Sequence, residues 1–429
     1  MLWGPAMPPR AAWRWALIGM GLFSRLLFAD HSAFSAHDPG SALAVSVPNL
    51  ARAKGATSVA DPYCLNLYQS VCAGSSSVIQ RRNQAERESV SQLFRQFINR
   101  SGVSREVLNQ ALQGAYHPAG LTPSLASVYA HYLRFLAETL GRQLPLSKVV
   151  PPIRAAVIQA IESQGYSAES KLIMRILANQ ITVRFIPDLN DLKSVSEFAA
   201  RCGFGGLIAN AEMVVQRNEI LVCPGLMLEA IATSKALGQD STIPSSFALA
   251  HALSHEFFHF FGPIGLDAEG NAFLSEQFFP EYHDRLVCAY QQLKTGKYAR
   301  NPVSGKMEYL GLLHALELGP DFGANDALRF LLEKDHLSFQ QRRQMTELTF
   351  LGLCGKSRAA FHPDGTPEQH LPSYLRLEVA SLALSKTLGC PVAPTRCDSR
   401  GRSPGSLNEL RQLNSPGPFP GGENKGEGY

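Results

Sequence analysis

Between Phe247 and Pro263 the chain reads FALAHALSHEFFHFFGP, apolar around almost its whole circumference and without glycine or proline until Gly262-Pro263. A segment of this texture is a buried helix. Pro244-Ser245-Ser246 offers turn and N-cap chemistry ahead of it, and Gly-Pro stops it. Residues four apart on a helix stand one turn above each other, so His255 and His259 point the same way and can grip one metal ion through their ring nitrogens. Glu256 stands beside such a metal rather than on it, where a general base belongs. The pattern is the HExxH arrangement of zinc sites. The competing reading is a core helix whose imidazoles are structural. His251 extends the stripe and reads as structural or outer-shell.

The rest of the chain can bury such a helix. Its 429 residues are 45% hydrophobic and only 18% charged, enough for one large domain or two. The net charge of +4, without a dense basic block, argues for no nucleic-acid partner. Arg10 and Arg14 precede the apolar run WALIGMGLF, which is short of the ~20 residues of a membrane span. Residues 1–29 therefore read as a signal peptide or, as the alternative, a signal-anchor that allows membrane association. Residues 30–60 read as a linker, and residues 398–429, rich in Pro, Gly and Ser, as a disordered tail. Eight cysteines without a CxxC pair suit disulfides in an oxidising compartment.

Helical periodicity dominates from Glu86 to Leu144 and continues through IRAAVIQAIESQGYSAESKLIMRILANQI. From Val183 to Val222 the texture changes, and NAEMVVQRNEILVCPG predicts two short strands about a turn. Helical segments return through Leu388. The fold class expected is mainly α with a small β-sheet (α+β).

Several blocks in order resemble the neprilysin and endothelin-converting-enzyme family of zinc metallopeptidases: DPYCLNLYQSVCAG (Asp61 to Gly74), NAEMVVQRNEILVCPG (Asn210 to Gly225), HEFFH, RLVCAYQQ (Arg285 to Gln292), TFLGLCG (Thr349 to Gly355) and HLPSYLRLEVASLALSKTLGC (His370 to Cys390). The resemblance implies a zincin-type catalytic domain over residues 149–397 and a shortened helical lid with the amino-terminal segment over residues 61–148. It implies one zinc ion per chain. It also implies that Asn210 and Ala211 hold the main chain of a peptide substrate, that Arg376 binds a substrate carbonyl, and that His370 stabilises the oxyanion. An exposed strand edge recognises peptide backbone, and a donor aimed at developing negative charge suits amide hydrolysis. The family pattern pairs Cys64 with Cys390, Cys72 with Cys354 and Cys288 with Cys397, leaving Cys202 and Cys223 as a local pair.

Three departures from the family stand out. The stretch before Asn210 is too short for a full lid. Gly262 occupies the place of an outer-shell aspartate. The third zinc ligand is ambiguous: aligning SGKMEYLGLLHAL on the family's ligand helix puts Leu312 at the ligand and Leu316 at its supporting aspartate, whereas ELGPD offers Glu317 as ligand and Asp321, four residues on, as outer-shell partner. Against the second choice, Pro320 inside a helix costs ~3 kcal/mol. His314 and Glu308 are further candidates without a spacing argument. The expectation is a zinc metalloendopeptidase acting on extracellular peptides, secreted or tethered to the plasma membrane, with Glu256 and His370 catalytic and His255, His259 and Glu317 on the metal. The alternative is an inactive relative that binds peptides or protein partners without hydrolysis.

Overall fold

A computed structural model describes residues 64, 67–72, 76–116, 121–189, 191–214, 217–238, 246–261, 298–309, 311–334, 337–354 and 373–390. The helical periodicity of the amino-terminal half resolves into α1 (Leu67–Cys72), α2 (Ser76–Ser101), α3 (Arg105–Tyr116), α4 (Pro123–Gln143), α5 (Leu146–Ser163) and α6 (Ala168–Gln180). Local chemistry sets several boundaries. Pro123 opens α4 behind Thr122, whose hydroxyl accepts the Leu125 N–H. The long run read as one texture breaks at Gln164–Ser167, and Ser167 caps α6 by accepting the Ser170 N–H at 3.1 Å. The boundary expected between residues 148 and 149 falls within α5.

After α6 the chain forms β1 (Thr182–Arg184), then α7 (Leu192–Cys202), β2 (Ala211–Val214) and β3 (Glu219–Val222). The sheet order is β1-β3-β2, with β1 parallel and β2 antiparallel to β3, so β2 is an edge. Asn218 turns the β2–β3 hairpin at φ 49°, a left-handed conformation that asparagine tolerates better than most residues. The two strands expected from the sequence are β2 and β3.

The remaining elements are α8 (Pro224–Ala236), α9 (Phe247–His259), the hairpin β4 (Tyr298–Arg300) and β5 (Met307–Tyr309), α10 (Gly311–Lys334), α11 (Phe339–Phe350) and α12 (Ser373–Leu384). Together they give a mainly helical fold with a small three-stranded sheet, as the sequence predicts. One apolar core runs from Leu67 to Cys390 and takes in residues of nearly every element. At its centre α9 buries Phe247, Leu249, Ala250, Leu253, Phe257 and Phe258, as its all-round apolar sequence requires. Its N-cap is Ser246, which makes no side-chain capping bond, so packing rather than capping holds that end.

The pairing of α9 with α10 depends on Gly323. A Cβ there would lie 2.2 Å from the Phe258 ring, so only glycine lets the two helices approach this closely. The helix α10 also runs through Pro320, which has no N–H to give to the Leu316 carbonyl. Proline was the sequence argument against a helix here, and tertiary burial overrides it.

Disulfides join Cys64 to Cys390, Cys72 to Cys354 and Cys202 to Cys223, the pairings that the family resemblance implies. The first two fasten the amino-terminal segment to α11 and α12 across 326 and 282 residues. Cys288 and Cys397 lie outside the described residues. Among the described residues no single helix is long and apolar enough to cross a membrane.

Candidate metal centre

Helix α9 aims His255 and His259 toward α10, from which Glu317 and Asp321 reach back one turn apart. His255 Nε2 lies 2.9 Å from His259 Nε2 and 3.1 Å from Glu317 Oε2, and the His259–Glu317 distance is 3.3 Å. Donors 2.0–2.1 Å from a tetrahedral zinc stand roughly 3.3 Å from one another. Two imidazole nitrogens and one carboxylate oxygen therefore form a triangle of nearly the right size and of a chemical type that zinc takes in hydrolytic sites. Glu256 belongs to the same cluster: it, His255 and His259 each offer an atom within 4.8 Å of the others.

Behind the triangle, His255 Nδ1 donates to Asp321 Oδ1 at 2.8 Å. This fixes the tautomer that leaves Nε2 facing Glu317 and His259, the usual service of a carboxylate behind a metal-binding imidazole. Asp321 is itself held by Arg376, whose Nε and Nη2 donate to its two oxygens at 2.7 and 2.6 Å. His251 Nε2 stands 3.7 Å from Asp321 Oδ1, with its ring against Phe350. It is thus placed behind the donor triangle.

The electrostatics follow from burial and charge. Burial would push the His255 imidazolium down, but the Asp321 charge and hydrogen bond, joined by Glu317, raise it to about 10. Burial would raise the Asp321 carboxyl, yet Arg376 and then His255 hold it well below the usual carboxylate range. Charge and hydrogen bonding outweigh desolvation for both groups.

The open edge of the sheet lies beside this cluster. The Cys223 N–H donates to the Asn210 carbonyl at 2.9 Å, and hydrogen-bonded pairs alternate along an antiparallel ladder. Ala211 and Met213 therefore turn their backbone groups to the free side of β2. There the Met213 N–H donates to Glu256 Oε2 at 2.9 Å, tying the carboxylate of α9 to the strand edge. Asn210 spends its own backbone within the protein, its N–H on Ile208 and its carbonyl on Cys223, so only its half-buried side chain is left to face a ligand.

Of the residues singled out in the sequence, the structure brings together His255, Glu256, His259, Glu317, Asp321 and Arg376, with Ala211 on the neighbouring edge. It puts Arg376 against Asp321 rather than on an open surface. His314 is buried in α10, and Glu308 stands on β5 opposite Ala299. The side chains of Leu312 and Leu316, and the whole of His370 and Gly262, lie outside the described residues. Two features were missed by sequence reasoning: the Met213 backbone donor and an ion pair of Arg201 with Glu212 on β2. A backbone hydrogen bond across 43 residues leaves no trace in residue types.

No protein-family model matches the chain, and no curated protein matches it. Among solved structures it is similar to the Mycobacterium tuberculosis zinc metalloprotease Zmp1 in complex with an inhibitor, at 16% identity and a TM-score of 0.42 over 65% of this chain. The chain spans about half the length of that structure, 50% of it being covered.

Proposed function

We propose that the protein is a zinc-dependent metalloendopeptidase, its metal held by His255 Nε2, His259 Nε2 and Glu317 Oε2. The observation that carries this reading is the donor triangle with edges of 2.9, 3.1 and 3.3 Å, closed by a carboxylate from a different helix. Zinc bound there supplies a Lewis acid for the scissile carbonyl and for the attacking water.

The chain's own residues do the rest. Asp321, locked by Arg376, orients His255 and keeps its Nε2 aimed at the metal position. Glu256 takes the proton of the attacking water and returns it to the leaving amine, and the Met213 N–H holds the other end of that carboxylate in line. The free edge of β2 at Ala211 receives the substrate backbone as an added strand, with the Asn210 side chain beside it. His370 stabilises the oxyanion, a role that rests on its place in the HLPSYLR block. Arg376 acts through Asp321, and the carbonyl-binding role that the resemblance implies for it is a lesser part of this reading. The division into a shortened lid (61–148) and a catalytic domain (149–397) belongs to the same proposal.

Disulfides across the described residues support an oxidising compartment, and with the basic-then-apolar start at residues 1–29 they support secretion or tethering at the cell surface. Peptides outside the cell are then the substrates. The test is zinc per chain, by elemental analysis after dialysis against a weak chelator, together with peptide hydrolysis measured beside Glu256→Gln. A ratio near one with hydrolysis lost in the variant is expected. A ratio near zero in folded, disulfide-intact protein would overturn the proposal in favour of a peptide-binding relative without catalysis.

A further inference from the structure

On β2 the residue between the two that face the open edge is Glu212, and Arg201, the penultimate residue of α7, is bonded to its Oε1. The pair is built rather than incidental. The Cys202–Cys223 disulfide, adjacent in sequence to Arg201 and to the end of β3, pins α7 to this corner of the sheet. The Glu212 side chain remains 39% exposed and that of Arg201 33%, so the pair borders solvent beside the edge where Met213 holds Glu256.

We propose that Glu212 determines specificity, selecting peptides with a lysine or arginine next to the scissile bond. The proposal rests on the peptidase reading and names its substrate class. A strand added to the free edge of β2 sets one of its residues directly opposite Glu212, on the same face, with Cβ atoms about 4.5–5.5 Å apart. Because Met213, the next residue, binds the general base, that substrate position falls within a residue or two of the bond to be cut. The sign of the preference follows from the local charges. Burial pushes the Glu212 carboxyl up, Arg201 pulls it down, and the nearby Glu256 pushes it up again, leaving the carboxyl above its ordinary value. Two carboxylates, Glu212 and Glu256, thus stand near the one guanidinium of Arg201, which compensates them only in part. A cation arriving on the neighbouring strand completes the compensation, and an acidic side chain there meets a second carboxylate.

The test uses fluorescent peptides in pairs that differ only by Lys or Glu at one position, stepped along the sequence. Binding is read by anisotropy on full-length, zinc-loaded protein carrying Glu256→Gln, which binds without cutting, and hydrolysis is read on the wild type. At one position the Lys peptide should bind about fivefold more tightly than its Glu partner. Glu212→Lys combined with Arg201→Glu should invert that ratio. A ratio does not depend on the fraction of folded protein, so partial misfolding of the variant leaves the reading intact. Equal binding within twofold at every position, or a preference unmoved by the swap, overturns the inference even if the wild type hydrolyses every peptide. A preference that the swap inverts, in a protein whose wild type cuts none of the peptides, upholds Glu212 as the selecting residue and tells against the peptidase reading alone.

Discussion

Replacing Glu317 by glutamine keeps the shape of the side chain and removes its charge, which isolates the question of the third ligand. The donor atoms stand within about 0.4 Å of the roughly 3.3 Å separation that tetrahedral zinc requires. The spacing fits the ion, so the loss on substitution should reflect the ligand itself. Outer-shell partners of metal-bound histidines are worth about 10- to 100-fold in affinity, and a direct anionic ligand should exceed them. Glu317→Gln should therefore weaken zinc binding by at least about 100-fold, or ~2.7 kcal/mol. Asp321→Asn should fall between the variant and the wild type. Competition with a chromophoric chelator at neutral pH measures all three affinities, and near-UV circular dichroism checks that each protein is folded. Affinity of Glu317→Gln within threefold of the wild type, in folded protein, would refute the argument that α10 supplies the third ligand at this position.

The raised His255 group makes a pH prediction of definite sign. Its folded value of about 10 lies above the unfolded 6.5, so its contribution to the stability of the metal-free protein is complete below 6.5 and is lost as pH rises toward 10. The same proton must leave Nε2 before a metal can bind. Zinc uptake at pH 7 should release about one proton per chain, measured by titration calorimetry in two buffers of different ionisation enthalpy. Arg376→Leu leaves Asp321, which is 1% exposed, without its guanidinium and dependent on His255, and should cost about 1–3 kcal/mol in denaturant unfolding. Arg376→Leu with Asp321→Leu should cost less than the two single changes summed, and additivity within 0.5 kcal/mol would remove the pair from the account. Gly323→Ala drives a methyl group into the Phe258 ring and should destabilise by about 1–3 kcal/mol. It should also weaken zinc binding, because it pushes α9 away from Glu317.

Much of this molecule is local physics and so is legible in residue order. The α9 helix follows from an apolar run bounded by turn residues, and its paired imidazoles from a spacing of four. The β2–β3 hairpin follows from strand texture about Asn218. The three disulfides in the described residues match a resemblance, not a derivation, since spacing alone cannot select partners 326 residues apart.

The third donor was legible only as an ambiguity. One register put Leu312 at the site and another Glu317, and Pro320 weighed against the second, because helix propensity is a local quantity. In the tertiary structure Pro320 is accommodated inside α10, whose burial against α9 offsets the missing hydrogen bond, and Glu317 lies within 3.3 Å of both histidines. Sequence by itself determined which side chains could serve as ligands and where α9 would form. That Glu317 reaches both histidines, that Arg376 is spent on Asp321, and that the Met213 N–H meets Glu256 are contacts between separate helices and a strand, set only by their meeting through space. The approach of α9 to α10 depends on the space left at Gly323, which no local pattern in the chain records.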